Sequence, residues 1–144
     1  MARVISVDYG AKRTGLAVTD PLQLIAGGLS TVPSAQALSF IKQYVAREQV
    51  ERIIVGKPTQ NDGTDSENMS RVKSFVARLC KALPHIPVEL YDERFTSLLA
   101  RRAMLESGIK KKERQNKALV DEVSAVIILQ DWMEAQQIKK GKTL

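Results

Sequence analysis

The chain has 144 residues, 44% of them hydrophobic and 26% charged, an ordinary globular balance that suits one domain around a single core. No apolar run is long enough to span a bilayer, and the N-terminus passes straight into a strand pattern without an apolar leader, so a soluble, cytoplasmic protein is expected. The 22 Lys and Arg exceed the 16 Asp and Glu by six, which favours a polyanionic partner.

In chain order, Ala2 to Asp8 reads as a first strand and residues 9–14 (YGAKRT) as a tight connection. Gly15 to Thr19 is a second strand, Asp20-Pro21 a turn, and Leu22 to Val32 a third strand loosened by Gly27-Gly28. Short links make these three an antiparallel meander. Pro33-Ser34 opens a helix carrying Leu38, Ile41, Tyr44 and Val45 at helical spacing, with Ser34 as its expected N-cap. Arg52 to Val55 has the consecutive apolar residues of a strand buried on both faces. A polar loop follows Gly56-Lys57-Pro58. Val72, Phe75, Val76, Leu79, Cys80 and Leu83 mark a helix from about Asn68 to Ala82. Ile86 to Tyr91 is a fifth strand. Thr96 or Ser97 caps a helix ending near Gly108, residues 110–117 (KKKERQNK) form a basic loop, and a last apolar helix covers roughly Leu119 to Gln136 before a frayed basic tail. Later strands alternating with helices lie parallel beside the first, so the expected fold is α/β, a mixed five-stranded sheet with helices on both faces.

Cys80 and His85 are each the only residue of their type, which rules out an internal disulfide and leaves no set of ligands for zinc. Cys80 is expected to be buried. The carboxylates are more informative. Asp8 follows the apolar Val4, Ile5 and Val7 without a break, Asp92-Glu93 closes the fifth strand, and Asp121 opens the last helix on a face continued by Ser124, Ala125, Ile128 and Trp132. Functional groups gather at the carboxyl ends of parallel strands. Three acids brought together there need a compensating cation. Oxygen ligands without His or Cys point to Mg²⁺ or Mn²⁺, and a pair of such ions can activate water and stabilise the leaving oxygen in phosphodiester cleavage. Taken singly, an acid at a strand or helix end is more often a cap, a salt-bridge partner or a solvated residue, and Asp121 alone reads as a helix N-terminal charge.

The segments VDYGAKRTGLAVTD, VGKPTQNDGT, DERFTS and KALVDEVSAVIILQ, in that order along nearly the whole chain, resemble the YqgF family. The resemblance implies a ribonuclease H-like nuclease domain, here residues 1–138 with a basic tail at 139–144, similar to Holliday-junction resolvases of the RuvC type. It also implies maturation of the 5′ end of pre-16S ribosomal RNA by metal-dependent endo- or exonuclease action. By motif, Asp8, Glu93 and Asp121 are the implied catalytic and metal-binding acids, with Asp92 a close competitor of Glu93. Two positions depart from the family pattern: Lys57 stands where an apolar residue is usual, and Ser124 where alanine is usual.

Further candidates for nucleic-acid contact are Gly10, Arg13, Lys57, Asn61, Arg94, Lys110, Lys111, Lys112, Arg114 and Lys117, each also readable as an ordinary turn, surface or loop residue. The implied partners are structured RNA or branched DNA, with ribosomal precursor particles, for a monomer or weak homodimer. A DNA junction resolvase and a non-catalytic nucleic-acid-binding factor are the alternatives. An actin-like ATPase would need two such domains.

Overall fold

The structure is a computed structural model that describes residues 2–57, 68–92 and 117–142, with the side chains of the last segment from 122 to 139. Alternation of apolar residues organises it. Strand β1 (Arg3–Tyr9) sends Ile5 and Val7 to one face and Val4, Ser6 and Asp8 to the other. Strand β2 (Arg13–Thr19) pairs antiparallel with β1, and β3 (Ala26–Pro33) antiparallel with β2. Strand β4 (Val50–Lys57) and β5 (Val88–Asp92) extend the other side in parallel. The sheet order is β3-β2-β1-β4-β5, so β1 is central.

Helices α1 (Ala37–Arg47) and α2 (Met69–Ala82) cover one face. Ile5, Val7, Leu16, Ile41, Ile53, Val55, Met69, Phe75 and Leu79 build the larger core between them. Helix α3 (Lys117–Lys142) covers the other face, over Val4, Ala17 and Ile54, with Ala125, Ile128, Leu129 and Trp132 turned inward. The two-sided burial of Ile53 to Val55 and the apolar face of α3 agree with the sequence pattern. Among the described residues no helix is long and apolar enough to cross a membrane.

Four local expectations are corrected. The third strand begins at Ala26, because the Asp20 carboxylate accepts hydrogen bonds from Leu24 and Ile25 N–H and folds residues 20–25 into a turn. Ser34 does not cap α1: it lies in a short 3-10 turn, Ser34–Gln36, and its hydroxyl donates to the Gly10 carbonyl at 2.6 Å. That leaves Thr14 to donate to the Ser34 oxygen at 2.9 Å, a buried clasp between the β1–β2 turn and the end of β3. Cys80 is exposed, because the inward stripe of α2 runs through Val72, Phe75 and Leu79 and residue 80 falls just past it. Helix α3 begins at Lys117 and continues to Lys142, so Asp121 lies in its second turn and the basic tail from residue 139 is helical at least that far. The expected helix from residue 96 to 108 and the basic loop before Lys117 lie outside the described residues.

Candidate active site

Asp8 is half-buried at the carboxyl end of the central strand, on the face that α3 covers. Its partner across β2 is Gly15, and on the other side Gly56 follows Val55, the partner of Val7. Both lateral neighbours of the carboxylate therefore lack side chains. Tyr91, paired with Gly56, completes the row on β5. Burial first, then the carboxylates of Asp131, Glu134 and Glu89, push the Tyr91 phenol above its ordinary value and keep it protonated.

Besides the apolar cluster, one buried polar contact ties α3 to this face. The buried Ser6 hydroxyl donates to the Ala125 carbonyl at 2.6 Å. Small residues permit that approach: Gly28, Ala17 and Ser6 form a row across β3, β2 and β1, and a Cβ at Gly28 would collide with the Glu122 carboxyl group. Trp132 and Met133 line a cleft with Ala2 and Glu51 at the amino ends of the strands, so α3 runs opposite to β1. Two residues beyond Ser6 a strand advances ~6.6 Å. Four residues back from Ala125 a helix advances ~6 Å. Asp8 and the backbone of Asp121 therefore both lie beyond this contact in the direction of the carboxyl end of β1.

Gly10, Arg13 and Lys57 also lie at this edge. Gly10 N–H donates to the Arg13 carbonyl, and a Cβ on Gly10 would sit 2.5 Å from that oxygen, so the tight turn itself requires glycine. Lys57 ends β4 beside Asp92 on β5. Asp92 follows Tyr91, which packs toward α3, so Asp92 belongs to the opposite face from Asp8. Glu93, Asn61, Arg94, Lys110, Lys111, Lys112 and Arg114 lie outside the described residues, as do the side chains of Asp121 and Lys117. Among the described residues no three His, Cys, Asp or Glu side chains form a metal-sized group.

Sequence reasoning missed three contributors. Ser6 docks α3 through a partner 119 positions away, which no local pattern reveals. Asn68 donates from Nδ2 to the Tyr9 carbonyl at 2.7 Å, tying the start of α2 to the residue after Asp8. Gly15 and Gly56 as neighbours of Asp8 emerge only from the register.

The sheet order, the mixed strand directions and helices on both faces define a ribonuclease H-like fold, with an acid on its central strand. A RuvC from T. thermophilus, solved in complex with a Holliday junction substrate, shares this fold with a TM-score of 0.58 over 95% of this chain and 96% of that one, at 16% identity. Residues 2–135 match the RuvX family, described as Holliday junction resolvase. The chain is 60% identical over 137 residues to a Phocaeicola vulgatus protein named "Putative pre-16S rRNA nuclease", covering 95% of this chain and 99% of that one. A protein of the same name from Bacteroides fragilis is 57% identical over 138 residues, covering 96% and 100%. The chain belongs to the RuvX family of nucleases.

Proposed function

We propose that the chain is a divalent-metal-dependent nuclease that acts in the cytoplasm on the 5′ region of pre-16S ribosomal RNA, in precursor particles, with Asp8, Glu93 and Asp121 as its acids. The observation that carries this reading is the placement of Asp8. A half-buried carboxylate stands at the carboxyl end of the central strand between two glycines, on the face that α3 covers. The alternation that turns Tyr91 toward α3 and Asp92 away favours Glu93 over Asp92 as the partner acid, because one further residue of the same period returns to Asp8's face.

The donor chemistry suits Mg²⁺ or Mn²⁺, since carboxylate oxygens without His or Cys are hard ligands. Such ions would supply water activation and neutralisation of charge on the phosphate. The chain's own contributions are distinct. Asp8 holds its carboxyl group at a fixed height on a rigid strand, and Gly15 and Gly56 place no side chain between it and the scissile phosphate. By strand alternation Arg13, at the start of β2, shares Asp8's face and Lys57, at the end of β4, shares Asp92's, so the two offer cations on opposite faces of this edge for the flanking backbone. The name carried by the relatives at 57–60% identity favours ribosomal precursor RNA over branched DNA.

The test is Asp8→Asn, which keeps shape and removes charge. Cleavage of a precursor RNA spanning the 5′ end of 16S should be lost, with RNA affinity and thermal midpoint nearly unchanged. Cleavage at the wild-type rate would refute the assignment. Preferential cleavage of a four-way DNA junction over the RNA, by a stable dimer, would instead establish the resolvase activity.

A further inference from the structure

The outer face of α2 carries a charge pattern that the catalytic reading leaves unused. Residues 69–88 contain four Lys or Arg and no Asp or Glu. Arg71, Ser74, Arg78 and Lys81 recur at offsets of three, seven and ten, which places them on one stripe, and all four are exposed. An ordinary solvated helix face mixes both signs, as α3 does with Glu134 and Lys139. A face of one sign repels itself and gains from an anion laid along it.

This stripe is attached to the edge where Asp8 ends. Asp8 and Tyr9 are consecutive and point to opposite faces, so only the thickness of one strand separates the acid from the α2 side. The Tyr9 ring stacks on Phe75, with centroids 4.3 Å apart and planes at 17°. Arg78 donates to the Tyr9 hydroxyl at 3.3 Å, and its guanidinium carbon lies 5.9 Å from the Phe75 ring centroid. Arg78 is thereby held in place before any ligand arrives, which lowers the entropy lost on binding. The Asn68–Tyr9 bond ties the start of the helix to the same residue. Exposed Lys12 adds a further cation on the adjoining turn.

We infer that the outer face of α2 is a phosphate-backbone track that carries RNA over the Tyr9 edge and away from the cleavage site, with Arg71, Arg78 and Lys81 meeting its phosphates. This inference rests on the nuclease reading and enlarges its substrate footprint. From Arg71 to Lys81 the track runs ~15 Å along the helix, the axial length of about four phosphates of one duplex strand. It contacts backbone alone, so it positions the substrate without reading its sequence.

The test uses the full chain and a labelled RNA hairpin with a single-stranded 5′ extension, with affinity measured against salt concentration. Arg71→Gln/Lys81→Gln leaves the Arg78–Tyr9 contact intact. It should bind roughly tenfold more weakly at ~0.1 M salt, and its log–log salt slope should be shallower by about 1.5. In cleavage assays KM should rise with kcat little changed. The matched control Lys42→Gln/Arg47→Gln removes the same charge from α1 and should leave the slope at the wild-type value. Equal slopes for wild type and the α2 variant, or an equal loss for the α1 control, overturn the track while leaving the nuclease reading standing. A wild-type chain that neither binds nor cleaves RNA overturns both.

Discussion

The two faces of the sheet are packed by different means. Under α1 and α2 the contacts are large and apolar: Phe75, Ile5, Leu16, Ile41, Ile53 and Leu79 are all fully buried. Under α3 the sheet offers Gly28, Ala17 and Ser6 in one row, and Gly15, Asp8 and Gly56 near the next. The first face gains stability in proportion to apolar area removed from water. The second brings a helix close to the backbone and carries Asp8 at its end. A sheet can therefore concentrate its stability on one side and reserve the other for chemistry, because alternation makes the two sides nearly independent.

The sharpest way to break this comparison is to hollow each face in turn. Phe75→Ala should cost about 3–5 kcal/mol in urea unfolding, since it removes a buried ring and the Tyr9 stack together. A loss below ~1 kcal/mol would show that the α1/α2 face does not dominate stability. On the other face the informative change adds volume. Gly28→Val should cost at most about 1 kcal/mol, since the flexible Glu122 side chain can turn aside, and Glu122→Ala in the same chain should restore much of it. Additive losses would mean that the two residues do not share the space between β3 and α3.

Much of this arrangement was legible beforehand, for reasons that differ by element. The run from Arg52 to Val55 and the stripe of Val72, Phe75 and Leu79 are apolar patterns with one period each, and both elements formed as read. Asp8 stood out because a charge interrupting such a pattern has no packing explanation. Ser34 was misread because a serine before a helix has the chemistry of a cap, while its actual partners, Gly10 and Thr14, are adjacent only in three dimensions. Cys80 was misread because it falls one residue past the buried Leu79, and periodicity alone does not locate the boundary of a buried stripe. The glycines beside Asp8 were invisible for a further reason: their role depends on strand register, a property of the sheet.

A comparable effect sharpens the comparison at the docking contact. Ser6→Ala should cost about 0.5–1.5 kcal/mol, the net value of one hydrogen bond. Because that bond ties α3 to the strand that carries Asp8, cleavage should fall by more than the stability change alone implies. Equal proportional losses in both measurements would show that the Ser6 bond contributes only to stability.

The smallest effect belongs to the turn that delivers β3 to the α3 face. Asp20 accepts N–H bonds from Leu22, Leu24 and Ile25, while Gln23 takes a positive φ of 57°. The Ile25 bond is the largest cause holding the Asp20 carboxyl below its ordinary value, with the Leu24 and Leu22 bonds adding to it against a desolvation that acts in the opposite direction. A depressed folded-state value means that the charged turn contributes its full stability above the ordinary carboxylate range. That contribution is lost as pH falls through the lower folded value. Asp20→Ala should therefore be mildly less stable than wild type near neutrality, and the difference should shrink steadily in acid. Thermal midpoints of the two proteins across that range provide the measurement. A difference that stays constant with pH would mean that the turn is held by its backbone bonds, Gln23 N–H to the Asp20 carbonyl and Asp20 N–H to the Ile25 carbonyl, and that the carboxylate is incidental to how β3 reaches Glu122.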